Sequence, residues 1–193
     1  MKDWIGNLHS VAGCIGATGH SQEERETHDF YATDPIAAEW LIKLETLPKS
    51  IWECACGEGH LGKVFEKAGF SVKATDLIDR GYGRGGVDFL AQTEMFDGAI
   101  ITNPPYRYAQ EFIEHALELA TDGNLVCMFL KVQFLEGKAR REMYRKYPPK
   151  RIWVSSSRIQ CGKNGDFKGS MVAYAWYVWE KGYHGATELK WFN

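Results

Sequence analysis

No apolar run in the chain is long enough to cross a bilayer. The longest, such as Leu125 to Leu130, stop far short of the roughly 20 residues that a span requires. The first residues, Met1-Lys2-Asp3-Trp4, lack the apolar core and small-residue cleavage site of a secretory signal. There is no internal repeat, low-complexity tract or obvious linker. Cysteine is sparse: the five positions 14, 54, 56, 127 and 161 are odd in number and widely scattered, which argues against a disulfide framework. Cys54-Ala55-Cys56 has no second Cys/His pair at zinc-finger spacing, so it reads as two small residues packed at a strand end and no metal is expected. Charge of one sign is not in excess either, since the net charge is −2. These absences leave a cytoplasmic globular protein with no membrane association. Its 193 residues fit one domain with a sizeable core, residues 29–193, after an irregular Gly-, Ser- and His-rich arm over 1–28.

What is present is a regular alternation of elements. Apolar positions Ile36, Ala37, Trp40, Leu41 and Leu44 recur at helical spacing, with Thr33 or Asp34 as cap. A strand is expected over 50–54, a glycine turn over 57–62, a helix to Lys67 that stops at Gly69, and a strand over 71–75 ending at Asp76. A flexible loop over 81–86 follows. Strands over 97–102 and 125–130 flank a helix over 109–120, whose Phe112, Ile113, Ala116, Leu117 and Ala120 share one face. A further helix is expected over 137–147. Strands over 152–155 and 172–179 are joined without a helix, which suggests an antiparallel pair at one edge. Strands alternating with helices specify an α/β fold built on a mostly parallel central sheet.

Gly57-Glu58-Gly59-His60-Leu61-Gly62 fits G-x-G-x-x-G between a strand and a helix. Asp76 follows at the tip of the next strand, where an acid accepts hydrogen bonds from ribose hydroxyls. The turn alone is compatible with a dinucleotide, with S-adenosylmethionine (SAM) or with a purely structural role. Glu53 separates these readings. A buried acid before the first glycine would face a pyrophosphate unfavourably, whereas the cationic amino group and sulfonium of SAM suit it. Ala55 and Gly57 let the backbone approach the cofactor's amino-acid end.

Asn103-Pro104-Pro105-Tyr106 leaves the strand at the sheet edge where α/β enzymes place ligands. A structural reading is a proline-rich strand exit that ends pairing. The chemical reading is more specific. An aromatic amine is a weak nucleophile because its lone pair is delocalised into the ring. The Asn103 amide oxygen and the Pro104 carbonyl can accept both of its N–H bonds and aim the lone pair at a sulfonium methyl. Pro105 stiffens the turn, and Tyr106 can stack on the ring, a contact worth about 1–3 kcal/mol.

On these motifs the chain resembles the amino-group DNA methyltransferases in the arrangement with the cofactor motif first, the gamma class. The likeness extends to small phage- and prophage-encoded members through the sequence style that includes Ala175-Trp176-Tyr177-Val178-Trp179-Glu180-Lys181-Gly182-Tyr183. It implies a Rossmann-like class I fold and SAM as cofactor, bound by Tyr31, Thr33, Glu53, Ala55, Gly57, Gly59, Asp76, Leu77, Asp88, Phe89 and Asn103. The segment Asp29 to Pro35 corresponds to the N-terminal cofactor motif, and Asp88-Phe89 to the pair that contacts the adenine of SAM. Asn103 to Tyr106 correspond to the catalytic tetrapeptide, whose Asn form is the more usual one for adenine N6.

The resemblance also implies target contacts from Tyr106 and from Lys163, Asn164 and Phe167 in the loop 159–170. Phe167 reads equally well as a loop anchor. The segment 138–151 carries seven basic residues, Arg140 and Arg141 among them, against Glu142 alone. On charge alone it is a solvated face; base flipping would use it to hold phosphates. The expected partner is DNA, or RNA. The chain has no room for the separate target-recognition domain of typical members. Cytosine N4, an RNA base and a protein glutamine amide are alternative acceptors, and a non-catalytic SAM- or DNA-binding module is the alternative class. Nothing in the sequence specifies oligomeric state.

Overall fold

The computed structural model describes residues 32–159, 161–162 and 172–193. The elements run β1 (Ala32–Thr33), α1 (Ile36–Leu44), β2 (Ser50–Glu53), α2 (Gly62–Lys67), β3 (Ser71–Ala74), β4 (Ala99–Thr102), α3 (Ala109–Leu119), β5 (Leu125–Lys131), α4 (Arg141–Lys146), β6 (Arg151–Ser155), β7 (Cys161–Gly162), β8 (Tyr174–Glu180) and β9 (Glu188–Phe192). Tyr31, Lys163, Asn164 and Phe167, expected at the cofactor and target sites, lie outside the described residues, as does the whole 1–28 arm.

Seven strands form the main sheet in the order β3-β2-β4-β5-β8-β6-β9. β3, β2, β4 and β5 are mutually parallel, while β8 runs antiparallel between β5 and β6. The expected antiparallel pair is therefore present. Outside it lies β9, parallel to β6, whose alternating Glu188-Leu189-Lys190-Trp191 was a legible period-2 pattern that sequence reasoning passed over.

The alternation of side chains across the sheet builds two cores. Val126, Met128 and Leu130 join Trp52, Ile100, Tyr177 and Trp179 against α3 and α4. Leu125, Cys127 and Phe129 join Ile51, Ile101, Trp176 and Val178 against α1 and α2. Strands β4, β5 and β8 are apolar on both faces because helices cover both. Fully burying each such side chain contributes about 1.5–3 kcal/mol.

Two expectations change. The Gly81–Gly86 stretch is tied to β3 rather than flexible: Arg84 N–H donates to Ala74 O at 2.9 Å and Asp76 N–H to Arg84 O at 3.0 Å. Its glycines at 81, 83 and 86 take positive φ, and a Cβ on Gly83 would lie 2.6 Å from Ala74 O. The helix expected over 137–147 divides into a 3-10 turn, Lys138–Arg140, and α4. No helix among the described residues is long and apolar enough to cross a membrane.

Candidate active site

The carboxyl ends of β2, β3, β4 and β5 converge, and most of the expected residues lie there. After β2 the chain turns sharply, with Gly57 at φ 54° and Gly59 at φ 80°. Asp76, just past β3, closes this turn. Its carboxylate accepts from Gly57 N–H at 2.8 Å and from Ile78 N–H at 2.9 Å. Each carboxylate oxygen has a second acceptor direction, so ribose hydroxyls can still be received. Leu77, 57% exposed beside it, offers an apolar platform. Asp88 caps the short turn Phe89–Ala91 by accepting from Leu90 N–H at 3.0 Å. The Phe89 ring is core, edge-on to Trp52 at 5.3 Å and beside Phe112 at 5.0 Å. What Phe89 can offer a ligand is its backbone.

Glu53 ends β2 and is buried. Burial, with the nearby acids Asp76 and Glu66, raises its carboxyl well above the ordinary range, while the Gly62 N–H opposes this. Cys54 and Cys56 are buried as packed thiols, and burial beside Glu53 pushes Cys56 up to about 12. Ala55 O accepts from the Thr102 hydroxyl at 3.4 Å, which locks the exit of β2 to β4.

Asn103 follows β4 directly. Its amide nitrogen donates to Thr33 Oγ1 at 2.8 Å, which fixes the rotation of the amide and sets its oxygen on the opposite side. Thr33 is held in turn by the β1–β7 bridge, where it pairs with Cys161. Thus the N-terminal motif and the segment after β6 meet over the tetrapeptide. Pro104 is buried and Pro105 half-buried before a 3-10 turn, Tyr106–Tyr108.

Tyr106 is half-buried. Its hydroxyl bonds the Tyr174 hydroxyl at 3.3 Å, and Lys131 Nζ stands 4.6 Å from its ring centroid. Burial raises the Tyr106 phenol and holds the Cys161 thiol at about 11, so neither is a base near neutrality. Lys131, Cys161, Tyr174 and Tyr82 were missed by sequence reasoning. Only the three-dimensional pairing of β5 with β8, where Lys131 faces Tyr174, brings two of them to Tyr106.

The basic segment shrinks on inspection. Arg151 makes a paired hydrogen bond to Glu45, with Nε donating at 2.6 Å, and Lys150 pairs with Glu180. Arg140 is committed to its own loop, donating to Phe134 O at 2.9 Å and to Glu136 O, and stacking 4.6 Å over Phe134. Lys138, Arg141, Arg145 and Lys146 are exposed.

Solved structures of low identity share this architecture. A class I S-adenosylmethionine-dependent methyltransferase candidate from Listeria monocytogenes aligns at TM-score 0.60 and 15% identity, over 95% of this chain and 71% of that one. An RNA methyltransferase candidate from Pyrococcus horikoshii aligns at 0.61 and 14%, over 89% and 97%. The type IIG restriction endonuclease BpuSI aligns at 0.58 and 17%, over 91% of this chain and 28% of that one. No protein-family model matches the chain, and no curated protein does. At these identities the likeness establishes the Rossmann-like class I methyltransferase fold and nothing finer.

Proposed function

We propose that the protein is a SAM-dependent methyltransferase that methylates the exocyclic N6 amino group of adenine in DNA. The observation that carries this reading is the position of Asn103 at the exit of β4, beside the Asp76-braced glycine turn at the exit of β2. SAM held at those strand ends would supply the methyl group for the amine that Asn103 grips. Asp76 would hold the ribose, Leu77 and Asp88 would border the adenine, and Glu53, Ala55, Gly57 and Gly59 would surround the amino-acid end. Thr33 would close the pocket from the N-terminal side, and Tyr31 is proposed as a further cofactor contact.

The Asn103 amide, oriented by Thr33, accepts one N–H of the target amine and the Pro104 carbonyl accepts the other. The nitrogen lone pair then attacks the sulfonium methyl. The N–C bond forms as the S–C bond breaks, leaving S-adenosylhomocysteine, and the extra N–H proton passes to solvent. No strong base is required. Tyr106 supplies a stacking face, the other being occupied by Lys131. Lys163, Asn164 and Phe167 are proposed to contact the flipped base, and Arg141, rather than the committed Arg140, the phosphates. Likeness to an RNA methyltransferase candidate over 97% of that chain supports RNA as the alternative substrate.

Labelled SAM with genomic DNA tests the proposal: label is expected in N6-methyladenine. Label in N4-methylcytosine, or in RNA alone, would overturn the assigned acceptor while keeping the donor.

A further inference from the structure

β9 closes the sheet and, among the described residues, pairs with β6 alone. It is pinned at both ends. Glu188 N–H donates to Lys150 O at 3.1 Å, and Ser156 N–H donates to Phe192 O at 2.9 Å. The Phe192 side chain is buried against Trp40, with ring centroids 5.4 Å apart. The edge is a formed strand, not a fraying end.

Parallel pairing commits alternate residues of a strand to its neighbour. Glu188 and Phe192, and with them Lys190, direct their backbone groups to β6. Leu189 and Trp191 turn theirs to the open side of the sheet, where they form a template for another strand. Their side chains are 47% and 64% exposed and share the sheet face of Ile152 and Val154. Glu188 and Lys190 lie on the other face, joined by an ion pair of 2.6 Å.

Proteins often protect an edge with a lysine, which repels its own copy. Here residues 188 and 190 carry opposite signs, so the strand is complementary to itself when reversed. A second copy can hydrogen-bond only in registers that set outward backbone groups opposite one another. Centred on Glu188 or on Lys190, two copies set like charges face to face. Centred on Trp191, they set Lys190 against Phe192. Centred on Leu189, they set Glu188 against Lys190 on both sides of the axis, in the non-hydrogen-bonded positions where Cα atoms approach to about 4.5 Å. That register also aligns Leu189 and Trp191 of both copies as one apolar strip.

We propose that the protein forms a homodimer in which β9 pairs antiparallel with the β9 of a second copy, with Leu189 on the two-fold axis and Glu188 opposite Lys190. The two seven-stranded sheets then join as one. β9 runs parallel to β6 and, through β8, to β5, so the two candidate sites come to lie at opposite ends of the joined sheet.

Sedimentation velocity of the full chain reads the oligomeric state. One short strand makes a small interface, so the wild type is expected to pass from monomer to dimer between about 1 and 100 µM. Leu189→Pro removes an outward N–H and leaves the β6 ladder intact, an edge position where proline is tolerated. It should stay monomeric throughout with Tm unchanged. Glu188→Lys and Lys190→Glu each set like charges across the axis and should weaken self-association about tenfold or more. An equimolar mixture of these two variants restores opposite charges across the interface and should dimerise again. Mixing would not repair a defect confined to one chain's own ion pair. A wild type that stays monomeric to the top of the range, its edge bare or covered by another segment of the chain, would overturn the proposal. So would a dimer that persists in Leu189→Pro, or a mixture no more associated than its components. If Leu189→Pro lowers Tm, the mixing experiment decides alone.

Discussion

Glu53 and Glu45 are both buried glutamates, and they sit at opposite ends of the sheet. Glu45, at the amino ends of the strands, is fully engaged. Arg151 grips both of its oxygens and Trp153 Nε1 donates to it at 2.7 Å. A cleft of about 660 Å³ opens beside it, lined by Pro48, Asn124, Lys150, Trp153 and Lys190, but Lys150 is paired with Glu180 and Lys190 with Glu188. Glu53, at the carboxyl ends, has acids for neighbours and an oxygen with no partner among the described residues. One end of the fold has satisfied its electrostatics internally. The other has kept a buried carboxyl oxygen unsatisfied among the described residues.

The contrast can be tested by substitution, beginning with the largest effect. Asn103→Ala should lower methyl transfer by at least about 10²–10³-fold while SAM affinity, measured by calorimetry, changes little. An undiminished rate would remove Asn103 from catalysis. Glu45→Ala should leave the half-buried Arg151 and Trp153 without their acceptor and destabilise by up to about 3–5 kcal/mol. That corresponds to a fall in Tm of about 10 °C, with the specific activity of the folded fraction preserved. A fall in activity without a fall in Tm would break the division between the two ends.

Asp76→Asn should weaken SAM about 10- to 100-fold in calorimetry, the worth of hydrogen bonds to a charged acceptor. Glu53→Gln should act oppositely to Glu45→Ala on the cofactor-free protein. Because the native carboxyl is held above its unfolded value, the fold keeps a proton that the unfolded chain gives up. Stability therefore falls as pH rises from about 4.3 through the raised native value, and the amide removes that slope. Denaturant melts of both proteins across this window should diverge as pH rises, the variant being the more stable. Parallel curves would show that burial does not perturb Glu53. Smallest of all, Arg141→Gln should reduce the salt slope of DNA binding by about one, while Lys150→Gln, paired at the opposite end, should leave it unchanged.

Much of the fold was written in short-range pattern. The helices at 36–44 and 109–119 and the strands ending at Glu53, Ala74 and Thr102 follow from apolar spacing and from glycine or proline punctuation, which depend on neighbours in the chain. The position of β8 between β5 and β6 was not so legible, since antiparallel insertion is a choice among partners that local pattern leaves equal. Seven basic residues in 138–151 resembled one patch because a sequence cannot show that Arg151 finds Glu45 across 106 positions or that Arg140 folds back on Phe134.

The candidate site divides in the same way. By itself the sequence determined where the Asn103–Tyr106 tetrapeptide leaves its strand and the placement of an acid before and after the glycine turn, because strand–turn–helix units impose those spacings locally. Only the tertiary structure decided what surrounds them. The Thr33 hydroxyl orients Asn103 through a two-residue bridge to β7, Lys131 and Tyr174 meet Tyr106 because β5 and β8 pair, and Tyr82 reaches Glu53 because the loop after β3 folds back. Contacts between distant segments depend on the packing of the whole sheet, and no window of the sequence contains both partners.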